Sequence, residues 1–294
     1  MKRWKRWLAL TLLLGVLLLP GCAKKVQSPA PETPDAPAGP PAETAEPAPA
    51  SRDASLLRAL IVDGAETGEL VLAGEDGAVY RLDAATVSVT LDGAPADASA
   101  LADGMTVEIA CPGARDALPA QLGAESIAAW SLGTAQNPGG TAYDLCGLYL
   151  QVLDDLWARD PGLNGGAEYL SVDLSAAPGE LSDAAKQAVA WVFAQKHGAQ
   201  PLALTSAELA EQGYLTDVSP EGAERPLYEW EDGVLFRIAA DEEAAGEQYS
   251  LPTVKFTADK WRSPLGAYGF ARCTAVWPEL GTWSDYSIGG EFIS

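Results

Sequence analysis

The sequence is poor in the residues that most enzyme centres need. It has one histidine, His197, and four cysteines in 294 residues, with no C-x-x-C pair and no second histidine to complete a zinc site. No serine lies in a G-x-S-x-G elbow or an S-x-x-K pair, which removes two common nucleophile arrangements. We expect His197 to end a helix, where its imidazole opposes the helix dipole. The sequence therefore predicts no metal site and no cofactor, and it identifies no catalytic residue.

Positive charge is also scarce. The 19 lysines and arginines face 41 aspartates and glutamates, which gives a formal net charge of −22. Such an excess repels nucleic acids and anionic lipid surfaces, so we exclude nucleic acid as a partner. The acidic residues are scattered along the chain, which is typical of a solvated surface rather than of a cation site.

The apolar run near the N-terminus is too short to span a membrane. Leu8–Leu19 has 12 uncharged residues, whereas a membrane helix needs roughly 20. Four basic residues precede the run within the first six positions. A basic start followed by a short apolar run is the pattern of an export signal.

The segment Leu19-Pro20-Gly21-Cys22 closes this run and resembles the lipobox of bacterial lipoproteins. The resemblance implies a signal peptide at residues 1–21, a diacylglycerol on the thiol of Cys22, and an extracytoplasmic protein anchored to the cell membrane. Pro20 departs from the Ala or Ser that is usual at its position. The alternative is a plain secretory signal with an incidental cysteine.

Residues 22–54 form a tract rich in Pro, Ala, Glu and Thr. Its prolines remove amide donors and favour polyproline II, and it has no apolar periodicity to bury. We expect a disordered tether behind the lipidated cysteine.

Residues 55–130 predict a small all-β module. Short β-rich runs at 57–62, 69–72, 79–82, 87–91 and 106–110 are separated by Asp-Gly pairs, which suit tight turns. Five strands at this spacing indicate a small closed barrel or sandwich. The stretch from Leu101 through Pro119 to Ile127 resembles small OB-like domains of secreted bacterial proteins of unknown function.

Residues 131–140 read as a linker, and residues 141–294 read as an α+β module. We expect helices that begin at Thr141 (with Asp144 completing a capping box), at Ser182 and at Thr205. Beyond residue 227 the period changes to two, with a hairpin over 228–236 around Asp232-Gly233. This order predicts helices packed on a curved antiparallel sheet, and it resembles the cystatin-like and NTF2-like cone folds.

Aromatic residues concentrate in the last quarter of the chain. Lys260-Trp261-Arg262 stands in a turn-like stretch before Pro264 and joins a large ring to two of the few cations. Exposed tryptophan beside arginine is a common recognition surface. The candidate ligand-binding residues are Trp261, Arg262, Lys260, Trp230 and Trp283. A purely structural role for these rings is the alternative.

These features favour a membrane-anchored binding or scaffold protein whose ligand is an unknown protein or cell-envelope component. The alternative is an envelope hydrolase that uses a carboxylate pair in the C-terminal module. Three cysteines remain beside Cys22, and they are either free and buried or include a Cys146–Cys273 bridge.

Overall fold

Two helices lie between two β-sheets and bury apolar side chains against both. The computed structural model describes residues 55–114, 119–139, 143–242, 251–277, 283 and 286–294, all within one compact unit. The predicted signal peptide, Cys22 and the tether lie outside the described residues. The fold is a strand-rich α+β arrangement, as the sequence predicted in outline.

The first sheet holds the N-terminal strands. They are β1 (Ser55–Asp63), β2 (Glu69–Gly74), β3 (Val79–Asp83), β4 (Ser88–Leu91), β5 (Ala94–Ala96), β6 (Thr106–Cys111), β7 (Gly113–Ala114), β8 (Ala120–Gly123) and β9 (Ser126–Ala129). All five predicted strands are confirmed. Gly64 and Gly77 adopt φ of 94° and 88° in the turns after β1 and β2, which is the conformation that the Asp-Gly pairs predicted.

The closed barrel predicted for residues 55–130 is not formed. The strand order is β5-β4-β9-β6-β1-β2-β3-β8-β7, so the sheet keeps two edge strands, β5 and β7. A short 3-10 turn at Ala84–Thr86 separates β3 from β4. The two strands then pair with different partners, β3 with β8 and β4 with β9, both in parallel. Because the turn divides them, β3 and β4 stand at separate places in the strand order, and this order does not close on itself.

The helical layer consists of α1 (Leu145–Ala158) and α2 (Asp183–Lys196), with a short α3 (Ser206–Glu211) on the other side of the second sheet. α1 packs against β1 of the first sheet, and α2 packs against β1, β2 and β3. Val62, Val71, Ala73 and Val79 of the first sheet belong to the same core cluster as the helices. Burial on both sides explains why α1 is apolar around most of its circumference.

Helix ends follow local sequence where the cap is a serine or threonine. The Ser182 side chain accepts a hydrogen bond from the amide of Ala185, and Thr205, the predicted start of α3, forms a capping box with Glu208. The prediction for α1 was wrong. Asp144 occupies the N-cap itself, at φ 54°, and its side chain makes no capping hydrogen bond; Thr141 lies outside the described residues.

The second sheet has six strands in the order β11-β10-β14-β15-β16-β17. They are β10 (Tyr169–Asp173), β11 (Gln200–Leu202), β14 (Gly233–Ala240), β15 (Thr253–Ser263), β16 (Gly266–Val276) and β17 (Gly290–Ile293). The sheet is mixed rather than antiparallel, because β10 runs parallel to both β11 and β14.

The predicted hairpin over 228–236 does not form. β13 (Tyr228–Glu229) pairs with β12 (Thr216–Asp217) in a separate ribbon, whereas β14 joins the second sheet. Gly233 begins β14 rather than closing a turn. A Cβ at this glycine would lie 2.0 Å from Cε2 of Trp230, so the buried indole ring requires a glycine here.

Residues 131–139 contain no helix or strand, in keeping with a connecting segment. The segment is nevertheless ordered by its own hydrogen bonds. Asn137 is buried, and its Nδ2 donates to the carbonyl of Trp130 at 2.8 Å. The division of the chain into two modules stays a prediction.

The three cysteines among the described residues are free. Cys111, Cys146 and Cys273 are all buried and form no disulfide, so the Cys146–Cys273 bridge is absent and the alternative of three buried thiols holds. Burial raises the pKa of the Cys146 and Cys273 thiols to about 12, which leaves both unreactive near neutral pH. Within the described part of the chain, no helix has the length and apolar character to cross a bilayer.

Candidate functional site

The second sheet has one face against the helices and an outer face turned away from them. Along β14, Phe236 and Ile238 join the helix-side core, whereas Leu235 packs with the cluster on the outer face. Strand alternation places Arg237 on the same outer face as Leu235. Along β15, the same alternation places Ala258 and Lys260 on the helix side of the sheet and Asp259 and Trp261 on its outer face.

A cleft of about 290 Å³ opens on this outer face, between the sheet, the start of α3 and the β12–β13 ribbon. We name it the Trp261 cleft after the half-buried ring that lines it together with Tyr228, Arg237 and Asp259. Apolar side chains from the ribbon complete the wall. A mostly apolar recess with a few fixed polar groups is the usual form of a small-molecule site.

The polar floor of the cleft is an arginine–aspartate pair. Arg237 Nε and Nη2 lie 3.0 Å and 2.9 Å from Oδ1 of Asp259, and Nη2 is 3.2 Å from Oδ2. The Arg237 side chain is 49% exposed, while that of Asp259 is 10% exposed. Burial raises the pKa of Asp259 and Arg237 opposes that shift. The buried carboxylate therefore fixes a half-exposed guanidinium at the floor.

The pair belongs to a row of side chains across the sheet. Asp173 on β10 and Asp259 on β15 both lie directly opposite Arg237 on β14. Gly269 on β16 follows opposite Asp259, and a Cβ at Gly269 would lie 2.3 Å from Cζ of Phe292. The Phe292 ring thus covers the glycine on the outer face, one strand away from Asp259.

Lys260 and Arg262, two of the predicted ligand-binding residues, are engaged on the opposite side of β15. Lys260 is fully buried, and its Nζ donates to the carbonyl oxygens of Arg159 and Asp160 and to Oδ1 of Asn164. Arg262 donates to the carbonyl oxygens of Trp230, Glu231, Leu163 and Gly165.

Both cations therefore hold the loop that follows α1. Arg159 is the C-cap of α1, where a positive charge also opposes the helix dipole. Burial lowers the pKa of Lys260 to about 8, so the ammonium is retained at neutral pH. The segment Lys260-Trp261-Arg262 belongs to the end of β15 rather than to a turn. Strand alternation places the Trp261 side chain on one face of the sheet and those of Lys260 and Arg262 on the other.

The two other predicted aromatic residues are in the core. Trp230 is fully buried beneath the outer-face cluster, and Trp283 is 8% exposed beside Trp277, with ring centroids 6.4 Å apart. Neither indole NH has a hydrogen-bond partner among the described residues. The burial of both rings fits a purely structural role, which was the predicted alternative to ligand binding.

His197 caps α2 at its C-terminus, as predicted. Its ring stacks on Trp157 at 4.0 Å between centroids, and its Nε2 lies 3.3 Å from Oδ1 of Asp154. Burial lowers the pKa of His197 despite Asp154. The imidazole is thus a neutral packing element at neutral pH, so the position of His197 is as predicted but its ring carries no charge to oppose the helix dipole.

A second group of charges lies where the first sheet meets α1. Burial raises the pKa values of Asp63, Asp103 and Asp144, and that of Asp144 reaches about 7. Oδ1 of Asp144 is buried without a hydrogen-bond partner among the described residues. Asp63 and Asp103 also line a neighbouring cleft of about 510 Å³. Among the described residues, no three or more His, Cys, Asp or Glu side chains are grouped so that they could hold a metal ion.

Comparison with protein-family models, with curated proteins and with solved structures found no match. The site is therefore interpreted from its own geometry. Of the five predicted ligand-binding residues, only Trp261 lines the cleft. Arg237 and Asp259 were missed, although Arg237 interrupts an otherwise apolar strand, and that interruption could have identified it.

Proposed function

We propose that this protein is an extracytoplasmic lipoprotein that binds a cell-envelope ligand through the Trp261 cleft. In this proposal Cys22 carries the lipid, residues 22–54 act as a tether, and the C-terminal module presents the cleft. The observation that carries the binding role is the half-exposed Arg237, held in place by Asp259 in a recess lined by Trp261 and Tyr228. Such a preformed mixture of ring surface and fixed donors is typical of recognition sites.

A finer description of the fold belongs to the same proposal. We infer that the first sheet is OB-like, with β3 and β4 acting as one bent strand. The support is the pairing of β4 with β9, of β9 with β6, and of β6 with β1. For the C-terminal module, we keep a cystatin-like or NTF2-like arrangement as a proposal, based on helices packed against one sheet face.

The alternative, a hydrolase with a carboxylate pair in the C-terminal module, is less well supported. Asp259 lines the cleft, and Asp173 lies opposite Arg237 on the neighbouring strand. Both oxygens of Asp259 accept hydrogen bonds from Arg237, and Oδ1 of Asp173 accepts from Ser175. A carboxylate held in this way is poorly placed to transfer a proton or attack a substrate.

The anchoring part of the proposal predicts a complete loss of lipid attachment in Cys22→Ser. A serine hydroxyl cannot form the thioether that carries the acyl chains, and two chains are needed for stable membrane retention. Cells fed a fatty-acid probe should label the original chain and leave the variant unlabelled in the soluble fraction. Cys111→Ser is the control and should label normally. Equal labelling of Cys22→Ser would contradict the lipoprotein assignment.

The binding part predicts retention on isolated envelope material. The full chain, purified in detergent, should co-sediment with insoluble cell-wall preparations, and Trp261→Ala should reduce the bound fraction at least tenfold because the ring surface is lost. Trp191→Ala removes a half-buried ring on α2, outside the cleft, and serves as the control. Release of soluble wall fragments during the same incubation would favour the hydrolase instead.

A further inference from the structure

We infer that the Trp261 cleft binds a neutral, polyhydroxylated ligand, a short segment of an uncharged glycan. The inference rests on the proposed function and deepens it by giving the ligand class. It is drawn from three features of the described residues: the free edge of Arg237, the rings that line the cleft, and the charge of the row in which Arg237 lies.

The first feature is the donor geometry at the floor. Arg237 uses Nε and Nη2 for Asp259, and its Nη1 has no hydrogen-bond partner among the described residues. The guanidinium is planar and presents donors in a fixed fork. Neighbouring hydroxyl groups on a sugar ring can accept from this fork and donate to the remaining lone pairs of the Asp259 carboxylate. Because Asp259 already orients the arginine, little side-chain entropy is lost on binding.

The second feature is the ring surface beside these donors. Trp261 is half-buried and lines the recess, and Tyr228 of the β12–β13 ribbon lines it as well. A pyranose has C–H groups on its ring face and hydroxyl groups around its edge, so it can pack on an aromatic ring while the hydroxyls reach polar partners. The cleft volume, about 290 Å³, is near the lower end of the range for small-molecule sites, about 300–1,000 Å³. It suits one or two sugar units.

The third feature is electrostatic and separates neutral from anionic ligands. Arg237 lies between two carboxylates in the sheet register, Asp173 and Asp259. The row therefore keeps an excess of negative charge, and the whole chain has a formal charge of −22. A phosphate or carboxylate ligand at the free Nη1 would lie beside these two carboxylates and would enter a negative field. A neutral hydroxylated ligand avoids this electrostatic cost.

The outer face also offers room for a longer chain. The ring of Phe292 lies over Gly269, one strand beyond Asp259, and it is 42% exposed. Strands in a sheet are about 4.8 Å apart, so the ring lies within reach of a sugar unit next to the one at Arg237. We therefore expect oligosaccharides to bind more tightly than monosaccharides.

The test uses the full chain, purified in detergent, and isothermal titration calorimetry with defined probes. Chitotetraose and cellotetraose represent neutral glycans, and tetragalacturonate represents an anionic one. We expect dissociation constants in the micromolar to millimolar range for at least one neutral probe and at least tenfold weaker binding of the anionic probe. Trp261→Ala and Arg237→Gln should each weaken the neutral interaction at least tenfold, while Trp191→Ala should leave it unchanged.

Circular-dichroism melting first establishes that the variants are folded. If Arg237→Gln is unfolded, Tyr228→Ala is used in its place. The binding data then distinguish the following outcomes. Neutral binding that survives Trp261→Ala overturns the site. Preferential binding of tetragalacturonate overturns the ligand class. Retention on cell walls that depends on Trp261, without binding of any oligosaccharide, overturns the glycan inference and leaves the proposed function standing. Failure of both assays overturns both.

Discussion

Replacing Asp144 by asparagine should stabilise the protein strongly at pH 8 and hardly at all at pH 4. Asp144 lies at the N-cap of α1 beneath the turn that contains Gly104, and a Cβ at Gly104 would lie 2.9 Å from Cβ of Asp144. Burial, together with the nearby charge of Asp103, raises the pKa of this carboxyl from 3.8 to about 7. The ionised form is therefore disfavoured in the folded chain.

The sign of the pH dependence follows from this shift. The folded state holds a proton that the unfolded state releases, so the free energy of unfolding falls as pH rises from about 4 to about 7. Below this window Asp144 is protonated in both states and carries no penalty. At one pKa unit per 1.4 kcal/mol, the penalty above the window is on the order of 4 kcal/mol. Asparagine cannot ionise, so it removes the penalty.

Thermal melts of the full chain in detergent, from pH 4 to pH 8, measure this effect. At about 2–4 °C per kcal/mol for a domain of this size, Asp144→Asn should raise the melting temperature at pH 8 by about 10 °C. Asparagine also tolerates the left-handed conformation. Asp92→Asn is the matched control, because Asp92 has φ 52° but is exposed, and its hydrogen bonds to Ser131 lower its pKa. An identical pH profile in Asp144→Asn and the original chain would disprove the argument.

Lys260→Met should produce the largest loss of stability among the cations of the second sheet. The substitution preserves most of the side-chain volume, but three oxygen acceptors around Nζ lose their donor at once. Hydrogen bonds to charged groups contribute about 1.5–3 kcal/mol each, and burial of the ammonium itself offsets part of that total. We expect a net loss of about 3 kcal/mol.

Denaturant unfolding at pH 7 is the appropriate measurement, because it gives the free energy and the exposed surface separately. Lys186→Met is the control. Lys186 pairs with Asp183 at 3.5 Å on the surface of α2, and exposed pairs of this kind contribute little. Equal effects of the two substitutions would show that Lys260 is not a structural clamp. Glycan binding in Lys260→Met should remain if the variant is folded, since Nζ lies on the face opposite the Trp261 cleft.

Local chemistry made much of the fold predictable. The Ser182 cap, the Thr205–Glu208 box and the turns at Gly64 and Gly77 depend on atoms within four residues of one another, and the structure has these features. The helical period of α1 and the five runs of the first sheet also depend on short spacings. For these elements the amino-acid pattern and the final structure agree because the deciding contacts are local.

Contacts between distant residues decided the rest. Lys260 finds partners about 100 residues away, between α1 and the loop after it, so its burial has no local signal. The Asp232-Gly233 pair predicted a turn, but Gly233 begins a strand, and the ring of the buried Trp230 fills the space that a side chain at Gly233 would need. Asp144 has a raised pKa because it is buried close to Asp103, more than 40 residues earlier in the chain, and the neighbouring Gly104 packs against it.

The candidate site shows the same division. The amino-acid composition alone identifies Trp261 and its two cationic neighbours as candidates, since a ring between two cations is visible without a structure. The packing of distant elements then determines that Lys260 and Arg262 face the loop after α1, and that Arg237 and Asp259 join Trp261 at the cleft. The physical reason is that a strand alternates its side chains between two faces, and what covers each face is set by elements far away in the chain.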